Sequence, residues 1–152
     1  MDIDESKIRE AFEEKNWTEI KSQDSWSVFK IMSEFVTGYE TLSKIGPCVA
    51  IFGSARTKPD NKYYKMAEEA AYILVKKGFG IITGGGPGIM EAGNKGAHFG
   101  GGKSVGLNIV LPHEQKPNPF IDQDKNINFD YFYVRKTMFM RYAQGYIAFP
   151  GG

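Results

Sequence analysis

Three apolar runs stop at glycine, and this pattern most constrains the fold. Cys48–Phe52 runs into Gly53-Ser54, Phe79–Thr83 into Gly84-Gly85-Gly86-Pro87-Gly88, and Gly145–Phe149 into Pro150-Gly151-Gly152. Short runs apolar on every position suit strands covered on both faces, which is the situation of a parallel sheet. Between the runs lie segments with helical spacing. Asp60 or Asn61 opens one through Lys77, with Met66, Ala67, Ala70, Ala71 and Leu74 facing inward and Gly78 at its end. A second spans Ile89 to His98, and Val134 to Gln144 forms another. Ser104–Leu111 reads as a further strand and Asn128–Tyr133 as a short one, with a proline-bearing loop over 112–127 between them. Strand and helix alternate, so the fold class is α/β: a Rossmann-like, mainly parallel sheet with flanking helices and right-handed crossovers.

Residues 1–45 differ in character and read as an N-terminal helical extension to a nucleotide-binding domain over 46–152. A short helix is expected over Ser6–Trp17 and a longer one over Ser25–Lys44. In the longer one Val28, Ile31, Met32, Phe35, Val36, Tyr39 and Leu42 share a face. That stripe is expected to pack on the sheet and on another subunit. Gly46-Pro47 ends it.

Composition removes several function classes. With 19 basic and 18 acidic side chains the net charge is +1, which offers no field for nucleic acid or an anionic membrane. No stretch approaches the roughly 18 apolar residues of a membrane span. The N-terminus lacks the basic and apolar segments of a signal peptide, and the single Cys48 lies in a buried-type run, so a cytoplasmic protein with a structural thiol is expected. His98 and His113 stand apart from other ligand types, so no metal is expected.

In a parallel sheet, ligands bind outside the carboxyl ends of the strands, where all three glycine turns fall. The segment Thr83–Met90 follows a strand and opens a helix. Consecutive glycines let backbone N–H groups converge, and the helix N-terminus adds partial positive charge, a combination suited to phosphate. It lacks the GxGxxG spacing of dinucleotide sites and the Gly-Lys-Ser/Thr of a P-loop. Arg135-Lys136 place two cations in what reads as the first turn of a helix, where a bound anion would offset their unfavourable meeting with the dipole. Glu91 and Glu114 adjoin the same edge.

Taken together, Gly53-Ser54-Ala55-Arg56, Gly84 through Ala92, Arg135-Lys136-Thr137-Met138 and Pro150-Gly151-Gly152 resemble the LOG family of nucleoside 5′-monophosphate phosphoribohydrolases from about Pro47 onward. The helical extension and Leu111-Pro112-His113-Glu114-Gln115 resemble its longer bacterial branch. The resemblance implies hydrolysis of the N-glycosidic bond of AMP or cytokinin nucleotides to free base and ribose 5-phosphate, with no cofactor, in a homodimer or larger assembly. It implies Arg135 as the catalytic arginine. The candidate substrate-binding residues are Gly53, Ser54, Gly85, Gly86, Gly88, Met90, Glu114, Lys136, Gly151 and Gly152. The family motif RKxxM has methionine where Phe139 stands. Its motif PGGxGTxxE is entered only as far as Gly152. The phosphate-binding Gly-Thr and the catalytic glutamate would follow, so these 152 residues alone are expected to hold a nucleotide without cleaving it. The alternative is a non-catalytic nucleotide sensor or carrier on the same fold.

Overall fold

A computed structural model describes residues 17–113 and 116–151. The expected helix over Ser6–Trp17 lies almost wholly outside the described residues, as do Glu114 and Gly152. The chain divides into two compact units, Met1–Ser33 and Glu34–Gly152. Helix α1, Trp17–Leu42, runs through that division.

The second unit carries the sheet. Its elements alternate as β1 (Cys48–Phe52), α2 (Lys62–Lys76), β2 (Gly80–Thr83), α3 (Ile89–Gly100), β3 (Ser104–Ile109), β4 (Asn126–Phe129), α4 (Phe132–Tyr142) and β5 (Ala143–Ala148). All strand pairs are parallel, in the order β4-β3-β2-β1-β5. The chain therefore builds outward from β1 to β4, then crosses back to lay β5 on the other side of β1. The strand order reverses between β1 and β5, which is where a doubly wound sheet opens a crevice.

Side-chain alternation assigns the faces. Val49, Ile51 and Ile81 pack with Tyr64, Ala67 and Ala71 of α2 and with Ile89, Ala92 and Ala97 of α3. Phe52 turns the other way, onto Phe139 of α4 with ring centroids 5.0 Å apart. Asn61 caps α2 by accepting from the Tyr63 amide at 2.9 Å. Met66, expected inward, is 52% exposed, and Tyr64 takes the core position instead. The helix is rotated so that its small residues face α3. Gly96 makes that approach possible, because a Cβ there would lie 2.1 Å from the Glu68 carbonyl oxygen.

Two further expectations change. β5 is an edge strand with alternating burial, and Tyr146 is 47% exposed, so it is not covered on both faces. The short strand sits at Asn126–Phe129 rather than 128–133, since Asp130 and Tyr131 lead into α4.

Candidate functional site

The glycine turn after β2 is held from beneath by a buried polar network. Asn94, in the middle of α3, is fully buried. Its Oδ1 accepts from Thr83 Oγ1 and, at 2.9 Å, from Asn118 Nδ2. Its Nδ2 donates to Ser104 Oγ at 2.9 Å and to the Val105 carbonyl at 3.2 Å. Thr83 Oγ1 accepts the Gly85 amide at 3.0 Å. Asn118, 6% exposed, donates its backbone N–H to the Gly85 carbonyl at 2.8 Å and its Nδ2 to the Gly86 carbonyl at 3.1 Å. Both carbonyls are thus turned into the protein. The amides of Gly86 and Gly88 have no acceptor among the described residues. They lie just ahead of the α3 N-terminus, where partial positive charge gathers.

The glycines are required by close approach. Gly85 has φ +76°, and a Cβ would lie 1.9 Å from Asn108 Oδ1. Gly88 has φ +70°, and a Cβ would lie 2.2 Å from the Ser54 carbonyl oxygen, which itself accepts the Ile89 amide at 3.1 Å. A Cβ on Gly53 would meet the Ile89 side chain at 2.6 Å, and one on Gly151 would meet Ser54 Cβ at 2.5 Å. The turns after β1, β2 and β5 therefore converge, as their placement in the sequence implied.

Arg135 reaches this edge from α4. Its Nε donates to the Leu107 carbonyl at 2.7 Å and its Nη2 to the Gly84 carbonyl at 3.4 Å, while the guanidinium lies 5.4 Å from the Phe139 ring centroid. β2 ends at Thr83, opposite Gly106, and the guanidinium fills the gap beyond it. A Cβ on Gly84 would meet Arg135 Nη2 at 2.5 Å and Met90 Sδ at 2.7 Å, so only glycine admits both. Burial lowers the Arg135 pKa from its ordinary value, and no carboxylate pairs with it among the described residues. Among the described residues, two carbonyl dipoles and the Phe139 ring face its charge.

Arg135 and Lys136 do not meet the helix N-terminal dipole in the way the sequence predicts. α4 begins at Phe132 and the Arg135 amide already donates to Tyr131 at 3.2 Å, so both residues lie past the free N–H groups of the first turn. Lys136 is exposed, and no described contact joins it to the glycine turn. Glu91 lies in the first turn of α3 and accepts from the buried Tyr64 hydroxyl at 2.7 Å, which helps push the Tyr64 pKa upward, after burial itself. Ser54 Oγ accepts the Arg56 amide at 3.2 Å and so shapes the turn after β1. Asn94, Asn108 and Asn118 were not singled out in the sequence. A polar residue at an inward position of α3, and an asparagine locked between Pro117 and Pro119, were the available signals.

No curated protein matches the chain. Among solved structures it is similar to the X-ray structure of TM1055, a structural-genomics target, at 25% identity with a TM-score of 0.56. The match covers 69% of this chain and about 61% of the length of that one. The converging glycine turns and the arginine set among them all fall within residues 46–152, the stretch that matches the SLOG cluster4 family, and the chain belongs to that family.

Proposed function

We propose that this chain binds a nucleoside 5′-monophosphate at the convergent glycine turns and supplies the arginine of a phosphoribohydrolase acting on AMP or cytokinin nucleotides. The observation that carries the reading is Arg135. It is half-buried, without a carboxylate partner among the described residues, and fixed by two backbone carbonyls beside a glycine turn with free amides. A charge so placed is preorganised for an anionic or hydroxyl-bearing ligand. Cleavage of the ribosyl C1′–N bond develops positive charge on the sugar. The contribution of these residues is to hold the phosphate and ribose rigidly while that charge forms. The chemistry also needs a carboxylate to stabilise that charge or activate water.

In the native protein Arg135→Ala is expected to lower release of adenine from AMP by roughly a hundredfold, the scale of one preorganised electrostatic group. Binding should fall less, since the glycine turn remains. Chromatography of free adenine, beside calorimetry of AMP, checks both. Binding of AMP without release of any base by the native protein would replace the enzyme with a nucleotide sensor or carrier.

The proposal includes a homodimer or larger assembly, supported by the apolar side chains that α1 leaves exposed, and a cytoplasmic location, supported by the free, buried Cys48. Among the described residues no helix is long and apolar enough to cross a membrane.

A further inference from the structure

A cavity of about 360 Å³ opens at the carboxyl ends of β3 and β4, lined by Asn108, Val110, Leu111, Lys116, Pro117 and Asn128 among others. It continues the glycine turn directly. Asn108, which lines it, is 8% exposed and lies against Gly85, so closely that a Cβ on that glycine would overlap Asn108 Oδ1. The Asn108 amide nitrogen is already committed, to Asn126 Oδ1 and, at 3.4 Å, to the Ile127 carbonyl. Its Oδ1 accepts no hydrogen bond among the described residues. An acceptor held in place by its own amide, at the step between turn and cavity, is suited to a hydroxyl donor.

The wall opposite is tied to the same turn. Lys116 and Pro117 line the cavity, and the next residue, Asn118, carries the bonds to the Gly85 and Gly86 carbonyls. The cavity and the anion-binding amides are therefore parts of one rigid construction. Val110, Leu111 and Pro117 offer apolar surface, while Asn108 Oδ1, Asn128 and Lys116 offer polar atoms. A concave lining that combines apolar surface with placed polar groups is the form of a small-molecule pocket.

We propose that this cavity receives the base of the nucleotide, with Asn108 Oδ1 accepting from a ribose hydroxyl between base and phosphate. The inference rests on the nucleotide reading above and adds where the base lies. It makes Val110, Pro117 and Asn128 determinants of base binding that contribute nothing to the sugar phosphate.

The test compares AMP and ribose 5-phosphate by calorimetry on the native protein and on two variants that fill the cavity, Val110→Trp and Asn128→Trp. Both positions are exposed, so either variant should fold, and the two enter from different segments, one just after β3 and one in β4. The expected result is a loss of AMP affinity of tenfold or more in each, with ribose 5-phosphate affinity unchanged within twofold. AMP affinity unchanged in both folded variants overturns the base pocket and leaves the nucleotide reading standing. Equal losses for the two ligands also overturn it, since the cavity would then hold the sugar phosphate. If the native protein binds neither ligand, the nucleotide reading fails and this inference falls with it.

Discussion

Gly88 adopts φ +70° and ψ −129°, a region that a side chain enters only under strain. The Ser54 carbonyl blocks a Cβ there as well. Gly88→Ala is therefore expected to cost about 1–3 kcal/mol from backbone strain alone, and urea unfolding would measure it. The same substitution should weaken AMP binding, because the turn must move to admit the methyl. Cys48 gives a second test at this scale. Burial pushes its thiol up to about 11, well above the ordinary 9.0. The folded protein then keeps a proton that the unfolded chain releases as pH rises past about 9. By linkage this contribution to stability is complete below that pH and is lost between 9.0 and about 11. Cys48→Ala should flatten the alkaline loss of stability over that window. Iodoacetamide at pH 8 should label Cys48 in urea and leave the native thiol largely unreacted.

Helix α3 connects packing to the site. Its N-terminus faces the glycine turn, its inward face carries Ile89, Ala92 and Ala97, and its centre carries Asn94. Asn94 bonds residues of β2, of β3 and of the loop that precedes β4. Asn94→Leu keeps the branched outline of the side chain but removes one hydrogen bond from each of Thr83, Ser104 and Asn118. Each lost hydrogen bond is worth about 0.5–1.5 kcal/mol net, so a loss of roughly 2–4 kcal/mol is expected in chemical denaturation. Asn118→Ala is gentler on the core. It removes the side-chain support from the Gly86 carbonyl while the backbone bond from residue 118 to Gly85 remains. The expected result is weaker AMP binding with a small change in Tm, and faster amide exchange confined to the glycine turn.

For the molecule as a whole, the surface to explain is apolar. Along α1, Trp26, Phe29, Met32 and Val36 are each more than half exposed, at 71%, 64%, 57% and 54%. Isolated exposed residues of this kind are ordinary, but a helix face of them points to association. Phe29→Glu with Met32→Glu is expected to shift the native protein toward monomer at micromolar concentration in sedimentation. Unchanged mass in that variant would count against assembly through this face. The edge strand β5 adds a second open surface, with Tyr146 stacked on Phe52 at 6.2 Å and both rings partly exposed.

The alternation of apolar runs, glycine turns and helical spacing was enough to determine the parallel α/β architecture and to set the three glycine turns at one sheet edge. That information is local, because strand and helix periods are written in neighbouring residues. Local order also marked Gly53, Ser54, Gly85 and Gly88, since turns that end buried strands must lie at one sheet edge, whereas Arg135 was marked by the family resemblance. What holds those residues was decided only by tertiary structure. Leu107 and Gly84 are far from Arg135 in sequence, and nothing in the helix period says that a guanidinium will fill the gap where β2 stops. The roles of Asn94, Asn108 and Asn118 likewise depend on segments brought together across the sheet. The same holds for the outward turn of Met66 and the open edge of β5, because strand order and helix rotation are set by packing between elements, and a single segment carries no record of its neighbours.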